Sequence, residues 1–194
     1  VAEALGLPKL RTIATGGDGS FSGNVLEIDG PAQITNTAIT GNSISVTSST
    51  GAAYSAGAFF AFDGESLPIV IRNSIVRDNS ISATTAGGPA NVEGAGIING
   101  GSLELHNVVI SNNTGNATGT SGFAQGGGIW NGMPFAPDGP TPHLLLDNTL
   151  VVRNALSTSP GLTVQGGGLY TPGFATTLTN SLIAHNSPDQ CFGC

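Results

Sequence analysis

The chain has 194 residues and a formal net charge of −7, with 9% charged and 39% hydrophobic residues. That length suits one domain with a sizeable core. The 5 Lys and Arg residues exclude a phosphate-tracking nucleic-acid surface, and no apolar run approaches the ~20 residues a membrane-crossing helix needs. The hydrophobic share argues against disorder. Gly (30 residues), Val, Ile and Thr outweigh Lys, Glu and Arg, which favours strands over helices. The chain begins at Val1 rather than Met, which reads as a processed chain whose export signal is gone.

Residues 1–21 read as an N-terminal cap and lead-in, with VAEALG at 1–6 as a short capping helix. GGDG at 16–19 occurs once. A calcium-binding Gly/Asp repeat needs stacked copies, so a turn is expected there. Residues 22–190 are repetitive. Each copy opens with a box of small residues and an apolar pair: SGNVL at 22–26, AGAFF at 56–60, GAGII at 94–98, GGGIW at 126–130 and GGGLY at 166–170. An alternating apolar stretch follows. It ends in an Asn box: NTAITGN at 36–42, NSIVRDN at 73–79, NVVISNN at 107–113, NTLVVRN at 148–154 and NSLIAHN at 180–186. A recurrence of 32–41 residues built from period-two stretches predicts a β-solenoid of about five coils, with about three short strands per copy.

Stacked coils place equivalent residues in rows. Ile69, Ile71, Leu103, Leu105, Leu144 and Leu146 are expected to fill the interior. The first Asn of each box (Asn36, Asn73, Asn107, Asn148, Asn180) sits where the chain must bend. Asn tolerates left-handed backbone there, and its amide can bond the Asn of the next coil. After the inner row Val25, Phe59, Ile97, Ile129 and Leu169 comes a second, increasingly aromatic row: Leu26, Phe60, Ile98, Trp130 and Tyr170. Alternation points the two rows to opposite faces. The second is therefore an interaction stripe for glycan or another subunit, or a small core covered by loops; the loop-covered reading is preferred. Asp78, Asn112, Arg153 and His185 form a polar row one residue before the second Asn. They read either as a polar groove or, preferably, as solvated charges. His106 reads as an outward strand residue and His143 as a loop residue, and neither has a partner at metal spacing. No metal site and no cofactor are expected. NNT at 112–114 and NAT at 116–118 match the glycosylation sequon.

Residues 191–194 (CFGC) end the chain. Cys191 and Cys194 read as a small disulfide in an oxidising compartment or as a truncation point. No cap comparable to the N-terminal one is expected in SPDQCFGC.

GGGI(W/Y) followed by LxLxNSxIxxN resembles the repeats of right-handed parallel β-helix proteins. The likeness is to the choice-of-anchor Q domain and to polymorphic outer-membrane-protein repeats, and NSPDQC is similar to the former. The resemblance covers residues 22–191. It implies an all-β, single-stranded right-handed parallel β-helix in a secreted or cell-surface protein.

The function expected is a non-catalytic structural or adhesive solenoid that self-associates head-to-tail or through the aromatic stripe. Its alternative is a polysaccharide-binding or lyase-like module, with a glycan as partner. A third reading, ice binding, requires a regular Thr row, and alignment of the copies by text gives none sustained across them.

Overall fold

A computed structural model describes residues 11–16, 20–22, 25–62, 67–132 and 141–194. The helix expected at 1–6 and all of GGDG but Gly16 lie outside these residues. The described chain is an all-β parallel β-solenoid with no helix. The chain visits five parallel sheets in turn. The first turn lays down β1 (Arg11–Gly16), β2 (Ser20–Ser22), β3 (Leu26–Asp29), β4 (Ala32–Thr35) and β5 (Ala38–Thr40), which open sheets A to E respectively. Sheet A continues with β6 (Ser43–Ser48), β11 (Ser80–Thr85), β16 (Thr114–Thr118) and β21 (Ala155–Thr158). Sheet B continues with β7 (Ala53–Ser55), β12 (Pro89–Glu93), β17 (Ser121–Gln125) and β22 (Thr163–Gln165). Sheet C continues with β8 (Phe59–Phe62), β13 (Ile97–Asn99), β18 (Ile129–Asn131), β23 (Leu169–Tyr170) and β26 (Cys191–Phe192). Sheet D continues with β9 (Ile69–Arg72), β14 (Ser102–His106), β19 (His143–Asp147) and β24 (Ala175–Thr179), and sheet E with β10 (Ile75–Arg77), β15 (Val109–Ser111), β20 (Leu150–Val152) and β25 (Leu182–Ala184). Four stacks are five strands deep and sheet C is six, which amounts to about four turns.

A turn thus has five strands, where the sequence suggested about three. The reason is local. Three sharp bends divide what reads as continuous text. Asn36, Asn73, Asn107, Asn148 and Asn180 take φ between 48° and 55° and turn the chain from sheet D to sheet E. Gly41, Asp78, Asn112, Arg153 and His185 turn it from sheet E to sheet A, also at positive φ. Gly94, Gly126 and Gly166 (φ 58°, 69° and 65°) turn it from sheet B to sheet C. A single left-handed residue reverses the local twist without ending the pairing on either side.

The two glycines that follow each of the later bends serve close stacking. A Cβ on Gly128 would lie 2.6 Å from the carbonyl oxygen of Gly168, and one on Gly127 would strike the carbonyl of Gly167. The glycine boxes of successive coils therefore rest on each other. The two spellings QGGGIWN and QGGGLYT are one corner, stacked on itself.

Ile69, Ile71, Leu103, Leu105, Leu144 and Leu146 are all buried, as expected, in one cluster with Phe59, Ile97, Ile129 and Leu169. A second cluster of small residues, including Ala83, Ala90, Ala95, Ala117 and Ala124, lies between sheets A and B. Sheet A differs from the text alignment in one respect: Thr47, Thr84 and Thr118 share a row. A Thr row is present after all. It stops at Thr118, because the next copy carries Ser159 at the same step after its second Asn.

Candidate functional site

The first Asn residues hold the bend, but they are exposed. Among them one side-chain bond is described, from Asn107 Nδ2 to Asn73 Oδ1 at 3.3 Å. The buried ladder belongs to the second Asn of each box: Asn42, Asn79, Asn113, Asn154 and Asn186. Each Nδ2 donates to the Oδ1 of the next, at 2.9, 2.9, 2.9 and 3.0 Å. Each such Oδ1 also accepts the backbone N–H of the Asn one coil earlier. From Asn79 onward the second amide hydrogen goes to a backbone carbonyl of the previous coil (Ile39, Val76, Ile110, Val151). The amide thus fills its capacity inside the protein, which is what a buried polar group requires. The missed signal was in the text, since the second Asn recurs as regularly as the first. A bend residue must face outward, so only the residue after it can point in.

Gln190 ends this ladder. Its Oε1 accepts from Asn186 N at 3.0 Å and Asn186 Nδ2 at 3.3 Å, as the Asn of a further coil would. Its Nε2 returns a bond to the Asn186 carbonyl. Asp189 Oδ1 accepts from Gly167 N, and Leu169 N donates to the Gln190 carbonyl. β26 then pairs with β23, and Cys191 and Cys194 form a disulfide. The expectation that SPDQCFGC lacks a cap is therefore corrected. It is an abbreviated coil that crosses from sheet A to sheet C in a few residues, and it could not be seen as a cap because it contains no helix. Gln190→Ala would leave Asn186 N–H and Nδ2 short of an acceptor. Loss of about 1–3 kcal/mol of stability is expected in urea denaturation.

Phe60, Ile98, Trp130 and Tyr170 share one row, which Phe192 extends. Leu26 does not belong to it. β3 pairs with Leu26 opposite Phe59 and Glu27 opposite Phe60, so Leu26 joins the inner row and packs against the main core. Its box lacks the glycines that fix the alignment of the other copies. Phe60, Ile98 and Trp130 are buried with Ala56, and Tyr54 and Tyr170 pack against them. The stripe is a satellite core in the re-entrant corner between the outer faces of sheets B and C. Trp130 and Tyr170 stack at 6.3 Å and 14°, and Tyr170 and Phe192 at 5.3 Å and 9°. A sugar binds a ring by its face, and each inner ring face here is turned to a neighbouring ring.

The same corner holds a buried acid that the sequence did not mark. Glu93, on the outward row of sheet B, is 7% exposed and accepts a hydrogen bond from the Tyr54 hydroxyl. Burial pushes its carboxyl up to about 7, and the Tyr54 bond partly opposes this. Burial and the negative Glu93 push the Tyr54 hydroxyl well above its ordinary range. Gln125 and Gln165 continue the row and bond each other at 3.3 Å.

The polar row Asp78, Asn112, Arg153 and His185 lies exposed on the bend between sheets E and A. Asp78 pairs with its neighbour Arg77 at 3.6 Å. His106 faces outward on sheet D, as read, but with partners: Nδ1 lies 3.1 Å from Asp147 Oδ2 and Nε2 lies 3.2 Å from Glu104 Oε2. His143 opens β19 rather than lying in a loop. Among the described residues no group of His, Cys, Asp and Glu is arranged to hold a metal ion, and no helix is long and apolar enough to cross a membrane. No family model matches the chain, and neither the curated proteins nor the solved structures compared with it give a match.

Proposed function

We propose that this chain is a non-catalytic structural or adhesive solenoid of the cell surface or extracellular space, built on the right-handed repeat of the choice-of-anchor Q and polymorphic outer-membrane-protein type, and that it assembles end to end with copies of itself. The observation that carries the reading is the unpaired edge of the last described strands of sheets D and E. The abbreviated coil covers sheets A and C but adds no strand to sheets D and E. β24 and β25 are therefore edge strands among the described residues. Leu178, which stands in the interior row of Ile71, Leu105 and Leu146, is 45% exposed there. An edge of free backbone groups beside an uncovered interior leucine is a site for strand addition. A strand of a second copy fills the step. The disulfide at Cys191 fits an oxidising compartment.

Sedimentation across a concentration series tests this. The wild-type chain is expected to associate progressively, while Leu178→Lys and Leu178→Pro, which spoil the apolar contact and a backbone donor of the edge respectively, remain monomeric. A wild-type chain that stays monomeric at high concentration would sink the assembly. Release of reducing or unsaturated sugar from a uronate polymer would replace this reading with the lyase-like one.

A further inference from the structure

The outward face of sheet A carries three parallel rows. Ser43, Ser80, Thr114 and Ala155 form the first. Ser45, Ser82, Asn116 and Ser157 form the second, and Thr47, Thr84 and Thr118 the third. The residues between them point inward and are buried: Ile44, Val46, Ile81, Ala83, Ala117 and Leu156. The rows are therefore fixed by the pairing of the strands, not by the side chains themselves. Their spacing is set at about 4.8 Å between strands and about 6.6–6.8 Å between alternate residues along a strand.

Two further observations distinguish this face. Hydroxyl and amide groups tie one another across it. Ser82 Oγ donates to Ser45 Oγ at 3.2 Å, Ser157 Oγ to Asn116 Oδ1 at 3.0 Å, and Asn116 Nδ2 to Thr118 Oγ1 at 3.3 Å. Polar groups already held in place lose little freedom when they meet a partner. Charge is also excluded from most of it. β6, β11, β16 and β21 contain no Asp, Glu, Lys, Arg or His; the one charged residue of the sheet is Arg11, in register with Ser43 on the first strand β1 at the margin of the face. Sheet D alone presents Arg72, Glu104, His106 and Asp147. A strongly hydrated ion would break any ordered water layer over the face.

We propose that the outward face of sheet A is an ice-binding surface, on which Ser45, Ser82, Asn116, Thr47, Thr84 and Thr118 hold water in the spacing of an ice plane. A rigid, uncharged, two-dimensional grid of hydroxyl and methyl groups has as its complement another two-dimensional grid of hydrogen-bonding oxygens. Both repeats of this face are close to oxygen repeats of hexagonal ice. The Thr methyl groups limit the ways bound water can turn, and the hydroxyls fix its position. This surface is separate from the C-terminal edge and does not depend on assembly.

The test is growth of a single ice crystal, and recrystallisation of a frozen film, in the presence of the purified chain. The wild-type protein is expected to shape the crystal into facets, enter the ice and arrest recrystallisation. Ser82→Lys and Asn116→Lys, each placing a charge at the centre of the grid, are expected to lose all three effects. Gln33→Lys, on the outward face of sheet D, is expected to keep them. Thermal melting of each variant shows that the fold persists. The proposal is overturned if the wild-type chain is excluded from ice, or if the two grid variants act as well as wild type. It is also overturned if the grid variants lose binding to microcrystalline cellulose but not to ice, since the face would then belong to a crystalline polysaccharide.

Discussion

Asn113→Ala is expected to lower the unfolding free energy by about 3–5 kcal/mol, the largest effect of any single substitution outside the apolar core. The reason is how many partners one amide serves. Asn113 Oδ1 accepts from Asn79 N and Asn79 Nδ2, and Asn113 Nδ2 donates to the Val76 carbonyl and to Asn154 Oδ1. Both Asn79 and Asn113 are buried. Truncation removes one group and strands its partners without water, which is the costly way to break a hydrogen bond. Asn107, the first Asn of the same box, makes a useful comparison. It is exposed, so Asn107→Gly, which keeps the left-handed bend, is expected to change stability little. Urea denaturation of the two variants side by side decides the matter. Equal losses would mean that the inner ladder is no more than a consequence of the bend.

Stability is also expected to fall as pH rises from about 4.5 to about 7. Glu93 has a folded-state value of about 7 against an ordinary 4.5. Between those values the folded chain holds a proton that the unfolded chain has released, so raising the pH favours unfolding. Below both values the contribution is complete, and above both the loss levels off. The shift corresponds to a loss of up to about 3 kcal/mol. Melting temperatures measured at about pH 5 and about pH 8 should therefore differ in favour of the acidic condition. Glu93→Gln removes the titration and keeps an acceptor for the Tyr54 hydroxyl, so it should flatten the profile. A profile of unchanged slope in that variant would place the titrating group elsewhere.

Much of the solenoid could be read in the text because boxes and Asn pairs recur in phase, and phase is what stacking imposes on a sequence. The inner leucines and isoleucines were found for the same reason. What escaped depends on one-residue distinctions that periodicity does not resolve. The bend at Asn107 and the ladder at Asn113 carry the same residue type with the same recurrence, and only backbone geometry tells which side chain faces in. Leu26 was placed one row out because its copy lacks the glycines that anchor the rest. Tyr54 and Glu93 belong to adjacent coils, and no local pattern links a tyrosine in one copy to a glutamate in the next. The Thr row of sheet A stands at a constant step after the second Asn, but it stops at Thr118 because the next copy has Ser159 at that step, so it does not recur through every copy. Gln190 was unreadable for a different reason. It imitates an Asn with one more methylene, from a segment that follows no repeat.

The tight corners fix the length of chain between sheets B and C, between D and E and between E and A in almost every coil. The passages from sheet C to sheet D obey no such limit. β13 and β14 are nearly contiguous, whereas β18 ends at Asn131 and β19 begins only at His143. Both sides of the longer passage still pair in register with their neighbours. The turns from sheet A to sheet B also vary, over a narrower range. Two seams along the solenoid can therefore take up new sequence while every row beside them stays aligned. Novelty in a lineage of such chains would accumulate along those seams, most of all between sheets C and D, and the rest of the surface would change only by exchanging one side chain for another.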